Sequence, residues 1–248
     1  MSDQNTTPAD EREGKIYAPI ERLDGLNDPN RAEMWMHRSR YLLAARRLKT
    51  LSVGTGQPLR VLDIACGLGY GSKIVSQTLG ARVESVDVSE EALDYARQHY
   101  ASPDIHFQQG TITDIHFEDA SFDAAICFET IEHLSLSDAQ KAMDELFRVL
   151  RPGGKLLIST PNRYFTWVLG LGGMKNEFHL YEFRPRELGT HLEDTGFKVT
   201  STWGQTFVNP VSYVLGRMGH LSPRVFFPSR AIPMEAAMIG ILEARKPR

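Results

Sequence analysis

Between Leu59 and Gly71 the chain reads Leu-Arg-Val-Leu-Asp-Ile-Ala-Cys-Gly-Leu-Gly-Tyr-Gly, a short apolar run that breaks on glycines. Val61, Leu62 and Ile64 have the pattern of a strand covered on both faces in a parallel sheet. Ser72 to Leu79 follow at helical spacing. A strand that turns through glycines into a helix brings bare backbone and a helix N-terminus up to a bound ligand. The spacing G-x-G-x-G does not by itself choose that ligand.

The alternation continues along the chain. Asp28 or Asn30 caps an expected helix from Arg31 to Leu48, with Met34, Tyr41, Leu42, Ala45 and Leu48 near one face. Arg82–Asp87 is an expected strand, and Ser89 caps a helix through Tyr100 with Glu90 and Glu91 in its first turn. Strands are expected at Ile105–Gln108, Phe122–Phe128 and Lys155–Ser159, with a helix capped by Ser137 and stopped by Arg151-Pro152-Gly153-Gly154. Pro185–Thr195 is a helix closed by Gly196, and Phe197–Trp203 and Ala236–Ala244 are antiparallel strands at one sheet edge. Strands alternating with helices imply right-handed crossovers and an α/β, doubly wound, mostly parallel sheet with that C-terminal antiparallel pair.

A chain of 248 residues suits one such domain with decoration. Residues 1–30 read as a mobile arm and 31–248 as a single domain, with its core at 59–162 and substrate-side segments at 163–183 and 206–233. The net charge of -3 gives no basic footprint for nucleic acid. Two cysteines, Cys66 and Cys127, without metal-ligand spacing argue for a reducing compartment. Met1 to Glu13 lacks the apolar stretch of a signal peptide, and no apolar run is long enough to span a bilayer. A cytoplasmic location is expected.

Asp87 and three further features bear on the ligand. Asp87 ends a strand about twenty residues past the glycines, where a carboxylate accepts both hydroxyls of a ribose, in a nicotinamide cofactor as in others. Asp63 lies before the turn, placed to orient the loop and meet an amino group. The loop also ends one residue sooner than the dinucleotide fingerprint, and the sheet finishes antiparallel. Together Val61-Leu62-Asp63-Ile64-Ala65-Cys66-Gly67-Leu68-Gly69, Asp87-Val88-Ser89, Phe122-Asp123-Ala124-Ala125 and Leu150-Arg151-Pro152-Gly153-Gly154 resemble the class I S-adenosylmethionine (SAM)-dependent methyltransferases, in that order and spacing.

The resemblance implies a Rossmann-like sheet with an N-terminal helical lid and SAM as cofactor. It implies that Gly67 and Gly69 lay backbone against the methionine part, that Asp87 holds the ribose, and that Val88 packs on the adenine. It also places Phe128 beside the sulfonium, where a cation next to an aromatic ring is favourable. Ala65 stands where many members carry glycine. Thr111 stands where many carry an acidic residue touching the adenine, so the Thr111 hydroxyl or the Ile112 backbone takes that contact. In the ubiquinone-pathway members an arginine on the preceding helix meets the cofactor carboxylate, and Arg40 occupies a comparable place.

Methyl transfer to a hydroxyl needs a base or a metal to take the proton. Glu129-Thr130-Ile131-Glu132-His133 follows the fourth strand, at the sheet edge where ligands bind. His133 is the first candidate base and His179 the second. Glu129-x-x-Glu132-His133 also resembles the metal-ligand pattern of the ubiquinone-pathway O-methyltransferases, suiting Mg or a similar ion. Without a metal, Glu129 would meet the cofactor amino group and Glu132 would orient His133. Tyr164, Phe165, Trp167, Phe178, Tyr181, Tyr213, Phe226 and Phe227 offer aromatic surface for an acceptor pocket, a homodimer contact or a membrane-surface patch. The expected activity is SAM-dependent methylation of a small molecule at a hydroxyl oxygen, in making a quinone, another natural product or a sugar. The rivals are N- or C-methylation, a nicotinamide-dependent oxidoreductase and a catalytically idle SAM-binding protein.

Overall fold

The structure is a computed structural model that describes residues 32–51, 56–164, 178–206 and 228–248. The expected arm at 1–30, the caps Asp28 and Asn30, and Phe165, Trp167, Tyr213, Phe226 and Phe227 lie outside the described residues. In chain order the elements are α1 (Ala32–Leu48), β1 (Arg60–Ile64), α2 (Tyr70–Leu79), β2 (Arg82–Asp87), α3 (Glu90–Tyr100), β3 (Ile105–Gln109), β4 (Phe122–Phe128), α4 (Leu136–Val149), β5 (Leu150–Pro161), α5 (Pro185–Thr195), β6 (Lys198–Gln205) and β7 (Ile239–Arg245).

The seven strands make one sheet in the order β3-β2-β1-β4-β5-β7-β6. β1, β2, β3, β4 and β5 run parallel, and β7 runs antiparallel to both of its neighbours. The expected antiparallel pair is therefore present at one sheet edge, with β7 between β5 and β6. Alternation along β1 divides the core. Leu62 and Ile64 join Leu146, Met143 and Leu188 on the α4/α5 face, while Val61 joins Leu48, Val75 and Ala44 on the α1/α2 face. Asp63 falls on the second face by the same period of two.

Local chemistry sets the ends of the elements. The Ser89 hydroxyl accepts from Ala92 N at 3.2 Å and opens α3. Ser135, rather than Ser137, caps α4: its Oγ accepts from Asp138 N at 3.1 Å, so the helix starts two residues earlier than expected. Gly196 closes α5 at φ 110. Arg151 to Gly154, expected as a turn before the strand, are instead part of β5. Phe122 pairs with Leu150 and Ala124 with Lys155, so residues 151–154 bulge out opposite Asp123 alone. The N-terminal helix is a packed layer, with Tyr41, Ala44 and Leu48 buried against the sheet and α2. Among the described residues, no helix is long and apolar enough to cross a membrane.

Candidate functional site

The turn between β1 and α2 holds three residues in the left-handed region: Ala65 at φ 57, Gly67 at φ 52 and Gly69 at φ 76. Such a conformation costs a non-glycine residue on the order of 1–2 kcal/mol, and Ala65 bears that cost. The glycines differ in what requires them. A Cβ on Gly67 would meet nothing within 4 Å, so its backbone faces open space. A Cβ on Gly69 would lie 2.6 Å from the Phe107 ring and 2.9 Å from Ala96 Cβ, so packing against α3 and β3 also demands glycine there. Gly71 is tighter still, with the Tyr41 ring 2.1 Å from a built Cβ.

Two carboxylates fix this turn. Asp87, buried at the end of β2, accepts from Gly67 N at 2.7 Å and from Ser89 N at 3.0 Å, tying the turn to the start of α3. Two lone pairs on each oxygen leave room for ligand hydroxyls as well. Asp63 is 1% exposed and accepts from Ser72 Oγ at 2.6 Å and Tyr41 Oη at 3.2 Å. Burial pushes its carboxyl up to about 7 against the pull of those two hydroxyls. Val88, beside Asp87, is 41% exposed, an apolar side chain left open beside the turn. Gly110 N bonds Asp87 O, which brings the loop after β3 to the same edge. In that loop the Thr111 hydroxyl engages Thr113 Oγ1 at 3.0 Å and accepts from Thr113 N at 3.3 Å, while the Ile112 side chain is buried in the core.

Arg40 reaches this edge from α1 and is 1% exposed. Its Nη1 donates to Gln205 Oε1 at 2.9 Å and its Nη2 to His37 Nδ1 at 2.8 Å, while Nε has no partner among the described residues. Both of these acceptors are neutral: burial, then the Arg40 charge, holds His37 down to about 3. A buried guanidinium between uncharged partners is a strong attractor for an anion. Gln205 had no local signal in the sequence, because it meets α1 from the end of β6. Its amide nitrogen also donates to Met36 O and Ser39 Oγ. Phe128 ends β4 edge-on to Tyr41, ring centroids 5.2 Å apart, and Tyr41 stands edge-on to Tyr70 at 5.8 Å.

Beyond Phe128 lie the acid–base groups. Glu129 adopts φ 52 and is stitched to β5, accepting from Ser159 Oγ at 2.7 Å. Glu132 is buried with Oε2 unpartnered among the described residues, and burial together with Glu129 raises its carboxyl well above the ordinary range. Its backbone carbonyl receives Leu180 N and Tyr181 N, which latches residues 180–181 onto this loop. His133 Nδ1 lies 3.1 Å from Phe178 O, and His179 Nδ1 lies 2.8 Å from Glu182 Oε1. A carbonyl or carboxylate oxygen only accepts, so both Nδ1 atoms carry a proton, and in the neutral ring the lone pair lies on Nε2. Burial lowers the basicity of His133. The two rings stand edge-on at 5.0 Å.

Ligand atoms of Glu132, His133 and His179 all lie within 4.8 Å of one another, a set able to hold a metal ion. The structure thus joins His179 to Glu132 and His133, and Glu129 is not in that set. Glu182, which positions His179, was passed over in the sequence although the His-x-x-Glu spacing was visible. Phe178 and Leu180 stand exposed beside the histidines, Leu180 at 64%, and Tyr164 is exposed under the Arg184 guanidinium.

A family model described as a methyltransferase domain matches residues 62–158. A Mycolicibacterium smegmatis protein described as a probable S-adenosylmethionine-dependent methyltransferase is 38% identical over 144 residues, 58% of this chain and 54% of that protein. The chain spans about half the length of this and the mycobacterial relatives that follow it. The ubiquinone biosynthesis O-methyltransferase of Aromatoleum aromaticum is 30% identical over 174 residues, 62% of this chain and 70% of that one. In fold, the chain resembles the magnesium protoporphyrin IX methyltransferase of Synechocystis, a structure with bound SAH. The TM-score is 0.62 at 19% identity, over 95% of this chain and 93% of that one.

Proposed function

The chain belongs to the class I SAM-dependent methyltransferases, and on that premise we propose that it methylates a hydroxyl oxygen of a small molecule, with His179 as the base. The observation that carries the choice of oxygen is the His179–Glu182 pair beside His133 at the C-terminal edge of the sheet. A neutral amine attacks through its free lone pair and loses its proton afterwards, whereas a hydroxyl must lose its proton as it attacks.

SAM bound at the turn supplies a methyl group already activated on a sulfonium. The chain's own residues fit that cofactor. Gly67 offers open backbone, Arg40 a buried cation for a carboxylate, Asp87 a ribose acceptor and Val88 an apolar face. Thr111 and the Ile112 backbone stand at the same edge for the adenine. His179 takes the acceptor proton at Nε2, and Glu182 behind Nδ1 stabilises the imidazolium that forms. His133 has only a carbonyl behind its Nδ1, so it gains less from protonation. Phe178 and Leu180 border the acceptor and keep water from the reacting oxygen.

The unpartnered Oε2 of Glu132 favours a second reading, a divalent cation on Glu132, His133 and His179. Two imidazoles and one carboxylate suit Mn or Zn better than Mg. The imidazoles would then be ligands, and the ion would lower the acceptor's pKa. A methyl-transfer screen of phenols, sugars and amines identifies the acceptor. On it, His179→Ala should lower kcat by about a hundredfold or more with SAM affinity nearly intact. Activity should survive thorough chelation. Full turnover in His179→Ala would refute the base assignment, and activity lost to EDTA but restored by Mn would establish the cation.

A further inference from the structure

Between the N-terminal part of α1 and the first turns of α2 lies a cavity of about 260 Å³. Arg38 and Lys73 line it from opposite helices, and no carboxylate is among its lining residues. Among the described residues neither cation pairs with an acid. Arg38 meets the Met34 sulfur at 3.9 Å and the Trp35 ring at 5.6 Å, and Lys73 lies over the Tyr100 ring at 5.1 Å. His37 adds a third donor to the lining. Its Nδ1 accepts from Arg40, which can only donate, so the ring proton sits on Nε2. The remaining wall is Met34, Ile74, Gln77 and the rings of Tyr70 and Tyr100. Asp63, Asp87 and Arg40 do not line this cavity, which sets it apart from the cofactor groups.

Two permanent positive charges without a counter-charge call for a dianion rather than a monoanion. A phosphate monoester carries close to two negative charges at neutral pH. A guanidinium fork and an ammonium point charge are the two side chains suited to holding it. The apolar and aromatic walls leave room for an organic group attached to the phosphate. We propose that this cavity is a second ligand site, taking the phosphate of a small phosphorylated molecule with Arg38, Lys73 and His37 as its donors. The site does not depend on the methyltransferase reading.

The test titrates the whole chain with phenyl phosphate in chloride buffer at constant ionic strength, followed by calorimetry and by fluorescence of Trp35 beside Arg38. One-site saturable binding is expected. Arg38→Gln and Lys73→Gln should each weaken it about tenfold or more, the worth of a charged hydrogen bond. Benzoate, a monoanion of similar shape, should bind at least about tenfold more weakly. S-adenosylhomocysteine binding, measured separately, should be unchanged in both variants, which also shows that they fold. Absence of saturation below about 10 mM phenyl phosphate, equal affinity in the variants, or competition with S-adenosylhomocysteine would each overturn the assignment.

Discussion

Asp63 makes the protein's stability depend on pH in a direction opposite to that of most carboxylates. It is buried under α1 and α2, and its carboxyl is pushed from 3.8 up to about 7 by loss of water. Between those values the folded chain holds a proton that the unfolded chain has released. Stability from this group is therefore fully present below about pH 4, falls as pH rises through the window, and levels off above about 7. Each pH unit in the window is worth about 1.4 kcal/mol, so ionising Asp63 costs the folded state on the order of 4 kcal/mol. Asp63→Asn removes the titration and keeps the shape. The amide oxygen accepts from one of Ser72 and Tyr41, and the amide nitrogen donates to the other's hydroxyl oxygen. Denaturant unfolding of both proteins across the window gives the difference in stability at each pH, from which groups common to both cancel. Relative to Asp63→Asn, the natural chain should lose about 4 kcal/mol between about pH 4 and pH 8. A difference that stays flat across that range would refute the argument, since it would mean that Asp63 is ionised in the fold at no cost.

Two further perturbations have clear expected outcomes. Gly71→Ala drives a methyl group into the Tyr41 ring and should cost about 1–3 kcal/mol, read as a melting point lower by several degrees. Unchanged melting would show that Tyr41 yields freely. Glu243 is buried and binds both Arg47 Nε at 2.6 Å and Lys155 Nζ at 3.1 Å. Burial opposes its charge, but hydrogen bonds from Arg47 and Lys155 outweigh that and keep its carboxyl below the ordinary range. Its stabilisation is present above the unfolded value of 4.5 and lost as pH falls through the lower folded value. Glu243→Gln removes the counter-charge of the buried Lys155 ammonium, which keeps the neutral acceptors Arg47 O and Thr50 Oγ1, and should cost about 3–5 kcal/mol at neutral pH, less in acid. Denaturant unfolding at the two pH values checks both magnitude and sign, and an equal cost at each would refute the linkage.

The parts of the fold legible in the sequence are those that local chemistry decides. Strands buried on both faces must be apolar almost throughout, so β1, β4 and β5 announce themselves. Ser89 and Gly196 mark helix ends by residue type, because a hydroxyl acceptor or a left-handed glycine is needed there. Ser135 and Ser137 are equally good on paper, and only the position of Asp138 N chooses between them. Tyr41 reads as a core residue of α1, and it is one, but its hydroxyl tip meets Asp63. Arg40 and Gln205 are brought together only by the placing of β6 beneath α1, which no local pattern encodes. The same limit applies to the site. The cofactor turn is contiguous in sequence, whereas His133 meets His179 across a loop whose path depends on a latch to the Glu132 carbonyl.

The insertion of β7 between two strands that precede it has a consequence for how the chain is made. Leu156 pairs with Ala244 and Trp203 with Ile241, so both neighbours wait for a segment synthesised after them. Until it arrives, β5 offers a raw apolar edge from Leu156 to Ser159, and β6 lacks its ladder partner. Open edges of this kind invite pairing with other nascent chains. The sheet closes like a zip from the middle, with the late strand as its slider. Ile241, Leu242 and Ala244 are all fully buried, so docking that strand also seals both halves of the core at once. A nascent chain whose β7 is not yet made has the methyl-donor turn but not the strand that joins β5 to β6.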